Sequence, residues 1–373
     1  MEFEAEYILL RGTFLGDLQI RYYGIIIVTA MIIAAYVAAR LASSRKLNPD
    51  HVWGGLTWAI FPGIIAARLW FVLFPPISLT AGCGDPNSTR VCMDTAWFLQ
   101  NFFNTTNGAI AIWNGGLSIF GAVLGGALGA WLYTSRFHNS ISRVFHYIFL
   151  PIAIPLTFIF WAIEALYQRI RGEEVEPYSI PKFEPEFPDE GIDYKPWLDI
   201  AAVALPLAQA IGRWANYVNQ ELYGLPTGSS FWGITIDASK RTGEYASLVE
   251  YPADTLFHPI FLYEAIWSAI AFVVLYILYT RYKNRFLNGD LFLIYVMQYS
   301  VIRFLLEFLR IEVAYIPGTT INSSQAMTVV TFLLALGVYI WRGRGGRRAA
   351  AAEVPQQSKP SPSRDSAHAE PVH

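Results

Sequence analysis

Residues 24–39 read GIIIVTAMIIAAYVAA, an uninterrupted apolar run without a single charge. A bilayer core is about 30 Å thick, and at 1.5 Å per helical residue roughly 17–20 apolar residues cross it. With the flanking aromatic residues this run is long enough to cross. The blocks 52–74, 109–133, 259–280, 290–309 and 325–341 approach or exceed the same length. Across the chain 54% of residues are hydrophobic and only 15% charged, against about 25% charged in soluble domains. Twelve Trp and 21 Tyr suit the aromatic belts at the two membrane surfaces. The expected fold class is an all-α polytopic membrane protein.

A formal charge of −2 argues against nucleic acid as a partner. No zinc-type cysteine cluster and no phosphate-binding glycine loop occurs, so no metal site is expected. The N-terminus, MEFEAEY, is acidic where a secretory signal is basic, and is expected to be retained.

Basic residues cluster after alternate spans, which sets orientation by the positive-inside rule. Arg40, Arg45 and Lys46 follow the first span, and Arg136 and Arg143 the third. Arg281, Lys283 and Arg285 follow the 259–280 span, and Arg342, Arg344, Arg347 and Arg348 the last. The N-terminus is therefore expected outside and the C-terminus in the cytoplasm. Residues 144–168 are apolar enough to cross, and 198–212 is a weaker candidate. The first carries Pro151 and Pro155 and has arginines at both ends. Proline breaks helical hydrogen bonding, and positive charge at both ends favours one side for both. It is read as a re-entrant or interfacial hairpin on the cytoplasmic side, leaving about seven transmembrane helices. The expected segments are a periplasmic N-terminal stretch over 1–19 and a membrane domain over 20–342. That domain carries an insertion at 137–197 and a small periplasmic head or arm at 217–257. A disordered cytoplasmic tail is expected over 343–373, where too little apolar surface is available to fold.

Charges inside or at the edge of a span are costly, so each is a functional candidate. GRWANYVNQELYG (212–224) places Arg213, Asn216 and Asn219 at three-residue intervals, neighbours on one helical face, with Glu221 and Gly224 close behind. RFLLEFLR (303–310) carries Arg303, Glu307 and Arg310 at spacings of four and three, again one face. A structural ion pair is the bland alternative there. A surplus of guanidinium over carboxylate, with Arg68 also counted, points instead to an anionic ligand. The planar fork of arginine donates two parallel hydrogen bonds to a phosphodiester. HPIFLYE (258–264) opens another span with His258, Tyr263 and Glu264. RYYG (21–24) places Tyr23 at the outer end of the first. WNGGLSIFGAVLGGALG (113–129) holds enough glycine, Gly115 and Gly116 among it, for a helix or a lipid chain to approach closely.

In this order, RYYG, AARLWFVLF (66–74), WNGGLSIFG, GRWANYVNQELYG, HPIFLYE and RFLLEFLR resemble the prolipoprotein diacylglyceryl transferases, over most of residues 20–340. The resemblance implies a seven-span enzyme of the bacterial inner membrane that needs no cofactor. Its partners would be phosphatidylglycerol, the lipobox segment of a prolipoprotein and membrane lipids. A diacylglyceryl group would move from phosphatidylglycerol to the lipobox cysteine thiol, with glycerol 1-phosphate released. Arg213 and Arg303 would hold the phosphate, Asn216 and Glu221 would shape the headgroup pocket, and Glu307 would fix Arg303. Tyr23 would lie close to the reacting glycerol, and Arg68, Gly115, Gly116 and Gly224 would line the lipid site.

Two features depart from the family pattern. The family's S-x-H-G reads Ser118-Ile119-Phe120-Gly121 here, removing a candidate general base. His258 and Glu221 are the available substitutes, with His258 preferred. The insertion after the third span has no place in the core reaction. A lipid transporter and an inactive lipid-binding relative are the competing readings. Cys83 and Cys92 fall in an external loop, where an oxidising environment favours a disulfide.

Overall fold

The computed structural model describes residues 2–3, 7–13, 16–75, 77–80, 83, 92–112, 116–172, 174–175, 177–182, 188, 191–311, 313, 315 and 319–352. The chain divides into two compact units, 1–221 with 261–273, and 222–260 with 274–373.

The first unit opens with strands where only a terminal segment was expected. β1 (Glu2–Phe3), β2 (Tyr7–Thr13) and β3 (Gly16–Arg21) form an antiparallel sheet in the order β1-β2-β3. The register pairs Ile8 with Ile20 and Leu10 with Leu18. Leu18 and Ile20 alternate with Asp17, Gln19 and Arg21, a period-two signal that the helical blocks overshadow. The all-α polytopic class holds, with the strands confined to described residues between 2 and 21.

The helices follow as α1 (Tyr22–Ser44), α2 (Asp50–Leu73), α3 (Ile77–Thr80), α4 (Thr95–Gln100), α5 (Ile119–Thr134), α6 (His138–Arg171) and α7 (Lys195–Asn219). α8 (Ile260–Arg281), α9 (Asp290–Leu306) and α10 (Ser323–Ala352) complete the chain. Among the described residues five helical stretches, α1, α2, α8, Asp290–Leu309 (α9 and its extension) and α10, are long and apolar enough to cross a membrane. α5, with 16 residues, is shorter than the expected 109–133 span. The chain before it is irregular: Gly116 takes a φ of 67°, a left-handed conformation that suits glycine. α7 is long enough at 25 residues but carries Lys195, Asp199 and Arg213.

Small residues face inward and large ones outward, as expected where lipid replaces water. On α1, Ala30, Ala34 and Ala38 are buried while Val28, Ile32 and Tyr36 are exposed. α1 packs on α7, and α2 on α5. Gly121, Gly125 and Gly129 form one stripe on α5. A Cβ at these positions would strike the backbone carbonyls of Ala66, Pro62 and Trp58 on α2. The glycine-rich stretch thus serves backbone-to-backbone packing of two helices. Gly125→Leu is expected to cost on the order of 3 kcal/mol, the upper end of overpacking penalties. Gly126, where the nearest atom stands 3.6 Å from a built Cβ, should accept alanine. Thermal unfolding of both variants in detergent checks the contrast.

Cys83 and Cys92 are joined by a disulfide. The bonded loop precedes α4, which Asp94 caps by accepting the Trp97 amide at 2.8 Å. Phe98 packs there against Val72 and Ala109. Reduction should add two hydrogens to the intact mass of the native protein. Cys83→Ser should lower stability by roughly 2–3 kcal/mol, the loop-closure value for a ring of this size, read as a drop in unfolding temperature.

Within the expected insertion, α6 bends by 74° between its segments His138–Ile148 and Ala153–Arg171. The bend brackets Pro151, where ring and missing N–H break the ladder. Past the left-handed cap at Gly172, the chain turns back on the helix. The Tyr178 hydroxyl bonds Thr157 Oγ1 at 2.9 Å and the Ile154 carbonyl at 3.1 Å. The Ile192 amide then donates to the Thr134 carbonyl at 2.9 Å. The end of α5 and the approach to α7 therefore lie side by side.

In the second unit α9 packs on α10. Arg342 pairs with the buried Asp290 at 3.1 Å. α10 continues to Ala352, past Gly343, Gly345 and Gly346, which disfavour helix, into an Arg- and Ala-rich end that favours it. The rest of the expected tail, 353–373, lies outside the described residues. The core of the 222–257 head is Tyr223, Ile236 and Phe257. Arg241 is buried among the carbonyls of Ile236, Tyr251, Pro252 and Ala253 and stacks over Phe257.

Candidate functional site

The first unit gathers charge at the end of α7. Arg213 pairs through Nη2 with Glu264 Oε1 on α8, whose side chain is only 5% exposed. Its Nη1 faces Asn216 Oδ1 at 3.5 Å, and Asn216 Nδ2 donates to Glu221 Oε1 at 2.9 Å. The helix ends here because Gln220 adopts a left-handed φ of 53°. That turn swings Glu221 back, so that its amide bonds the Asn216 carbonyl at 3.0 Å. Tyr23 stands at the start of α1, which packs on α7. Arg213, Asn216 and Glu221 are brought together at the end of α7. Glu264 joins them, a residue that the spacing of HPIFLYE made visible but to which no role was attached. Its signal was a carboxylate one turn inside an apolar span.

Arg68 stands in a different environment from the one expected of an anion clamp. Its Nε, Nη1 and Nη2 donate to the carbonyls of Ala109, Gly116 and Gly108 at 2.8, 3.0 and 2.7 Å. Phe71 and Phe98 flank the guanidinium. Three of its five N–H donors thus hold the loop before α5 in place. Gly116 is required at this point, since a Cβ would meet Arg68 Nη1 and the Phe71 ring. Gly115 lies outside the described residues. Phe120, in the first turn of α5, is 57% exposed with its ring 6.0 Å from Trp70. It offers no proton acceptor.

The second unit holds the other cluster. Glu307, whose side chain is 1% exposed, forms an ion pair with Arg303 at 2.8 Å and faces Arg310 at 3.8 Å. The four- and three-residue spacings survive although the helix tightens to a 3-10 turn over Glu307–Leu309. One buried carboxylate between two guanidinium groups leaves the trio with a net positive charge. Backbone pairing assembles the rest. The Gly224 amide donates to the His258 carbonyl at 2.9 Å, the His258 amide to the Leu225 carbonyl at 3.0 Å, and the Leu225 amide to the Leu309 carbonyl at 2.8 Å. A Cβ on Gly224 would stand 2.8 Å from the Leu309 carbonyl oxygen and 2.9 Å from His258 Cβ. Glycine there lets three segments meet. Among the described residues no group of His, Cys, Asp and Glu is arranged to hold a metal ion.

Apolar helices long enough to cross a bilayer, with arginine–carboxylate pairs at their ends, define a multi-pass membrane protein. The sequence profile of the family described as prolipoprotein diacylglyceryl transferase matches residues 12–163 and 187–341. The chain belongs to that family. Similar proteins bear the name phosphatidylglycerol–prolipoprotein diacylglyceryl transferase. That of Chloroflexus aggregans is 33% identical over 79% of this chain and 73% of its own length. Those of Trichormus variabilis and Listeria monocytogenes are 29% and 28% identical, covering 86% and 88% of this chain and 86% and 87% of their own. The stretch between the matched blocks, 164–186, is narrower than the insertion of 137–197 read from the motifs, because the first part of α6 still matches the family profile.

Proposed function

We propose that this protein transfers the diacylglyceryl group of phosphatidylglycerol to the lipobox cysteine of a prolipoprotein. The observation that carries this reading is the pair of carboxylate-oriented arginines, Arg213 with Glu264 and Arg303 with Glu307. In the reaction the cysteine sulfur bonds to the glycerol carbon that carries the phosphate. The carbon–oxygen bond breaks, glycerol 1-phosphate leaves, and the thiol proton passes to a base or to water. Charge develops on the departing phosphate ester, and fixed donors aimed at it lower the barrier. Arg213 and Arg303 are the phosphate-binding groups on this reading. Asn216 and Glu221 line the headgroup site, Glu307 orients Arg303, and Tyr23 stands near the reacting glycerol. Glu264 is added as the residue orienting Arg213. Arg68 and Gly116 shape the loop before α5 rather than clamp the anion. A cysteine thiol with pKa near 8.5 is already a few per cent ionised at neutral pH. Phe120 is thus compatible with catalysis, and His258 is the base proposed in its place.

The test is transfer from labelled phosphatidylglycerol to a lipobox peptide by the protein in liposomes. A thioether-linked product is expected with the cysteine peptide and none with a serine peptide. No product with either would end the reading.

The same reading places the N-terminus outside and the C-terminus in the cytoplasm, with seven spans formed by α1, α2, α5, α7, α8, α9 and α10. The Ile192–Thr134 hydrogen bond supports an even number of crossings between α5 and α7. Among the described residues 174–182 none is helical, and a non-helical return through hydrocarbon would leave backbone groups unpaired. Single cysteines at Ser179 and Ser323, in a background lacking Cys83 and Cys92, read this out with an impermeant thiol reagent on spheroplasts. Labelling is expected at 323, and at 179 only after the membrane is opened. Labelling of 179 from outside would redraw the topology.

A further inference from the structure

The second segment of α6, Ala153–Arg171, has two unlike faces. On one side Tyr178 returns to the helix. Its hydroxyl bonds Thr157 Oγ1 and the Ile154 carbonyl, and its ring meets Phe158 at 5.3 Å and Trp161 at 5.7 Å. On the other side Ile159, Ile163, Leu166 and Ile170 recur at intervals of four, three and four, which aligns them in one stripe. Phe160 stands beside it, and each of the five side chains is more than half exposed. Thr157 and Trp161 are each two residues from Ile159, which is about 200° round the helix. The covered face and the apolar stripe are therefore opposite each other. Arg169 and Arg171 are exposed in the last turn. As the sequence neighbours of Ile170 they leave the helix on either edge of the stripe.

The return of the chain decides how such a helix can lie. From Thr157 to Arg171 it rises about 21 Å. Gly172 to Tyr178 is six steps of the chain, about 20–22 Å at full stretch. The chain has just enough length to reach Thr157 by running back along the helix. If Ala153–Arg171 crossed the bilayer, this return would lie in hydrocarbon with Glu173, Glu174 and Glu176. Irregular backbone and three carboxylates are both costly there. Water is thus the solvent of the Tyr178 face, and the stripe opposite needs an apolar one. α6 also starts at a membrane surface, since only three residues separate it from the end of α5.

We propose that Ala153–Arg171 is an in-plane anchor on the bilayer surface at which α5 ends. Its stripe enters the acyl region of that leaflet, and the Tyr178 face is turned to water. Arg169 and Arg171 reach phospholipid phosphates from the two edges of the stripe. The proposal deepens the topology reading given above and does not depend on transfer activity. Leu166, Ile170 and Tyr178 fall within 164–186, which the family profile leaves unmatched, so the anchor is completed by residues outside the matched blocks.

The experiment uses the full chain in liposomes, in a background lacking Cys83 and Cys92. A single nitroxide-labelled cysteine replaces Ile159, Ile163 or Ile170, or Gln168 on the covered side. Collisions with oxygen, which concentrates in hydrocarbon, and with a water-soluble nickel chelate report the depth of each label. The three stripe labels are expected at a common depth, about 5–10 Å below the phosphates, and the Gln168 label in water. A crossing or re-entrant helix would separate Ile159 from Ile170 by about 16 Å in depth, which would overturn the proposal. Stripe labels open to the nickel chelate would overturn it too. Dipolar broadening between labels at Ile163, lost on dilution with unlabelled protein, would give the face to a second copy of the chain instead. Ile163→Glu with Leu166→Glu should bring the label at Ile170 out of the hydrocarbon. Arg169→Gln with Arg171→Gln should move it in the same direction by less. No movement in either double variant would remove the anchoring role. Labelling of Ser179 from outside would move the same anchor to the outer leaflet, so the sidedness and the in-plane pose fail separately.

Discussion

Arg213→Lys and Arg303→Lys are each expected to lower turnover by about a hundredfold or more, the loss typical when one donor to a developing anion is removed. Both variants should still insert and fold. Lysine keeps the positive charge, so loss of charge cannot be the cause. What it lacks is the planar fork that holds a carboxylate with one edge and a phosphate with the other. Arg213 already commits an N–H to Glu264, and Arg303 is held in an ion pair with Glu307. A single ammonium cannot serve both partners with fixed geometry. Thermal unfolding within a few degrees of the parent, with transfer to a lipobox peptide nearly lost, is the expected pair of results. Near-normal turnover in both lysine variants would remove these residues from the phosphate site.

Glu307→Gln should destabilise the protein by about 3–5 kcal/mol, the range for breaking a buried ion pair by removing one partner. Glutamine matches the shape of glutamate, so packing is retained and charge alone changes. Its loss leaves Arg303 and Arg310 on either side of a buried side chain that no longer carries a charge. Turnover should fall as well, because Arg303 loses the group that orients it. Adding Arg310→Gln to the variant removes the repulsion. The double variant should therefore recover stability without recovering turnover. Unfolding temperature and transfer rate, measured on the single and double variants, separate the two effects. Full recovery of turnover in the double variant would assign Glu307 a purely structural role.

The two clusters differ in how far spacing alone reveals them. Arg303, Glu307 and Arg310 were legible, because three- and four-residue intervals bring side chains together on any tight helix. Arg213 and Asn216 were legible for the same reason. Glu264 was not assigned because its partner is 51 positions away, beyond the reach of any periodicity. Arg68 shows the same limit from the other side. A charge at the edge of a span signals function by default, and only the folded loop reveals three carbonyls already meeting its donors. The stripe of Gly121, Gly125 and Gly129 was visible as composition, but whether it faces a helix or a lipid depends on where α2 lies.

The sequence by itself determined that the chain crosses a membrane, where most crossings fall, and which family's motifs it carries. Those properties follow from runs of apolar residues and short spacings, which act over one helix at a time. The tertiary structure decided which carboxylate orients Arg213, what occupies Arg68, and how α6 bends and returns to the end of α5. It also decided that the alanines of α1 and α7 leave a cleft between α1, α2, α5 and α7. Each of these depends on groups far apart in the chain being held within a few ångströms. Hydrogen bonding and packing at that range depend on geometry that local pattern does not contain.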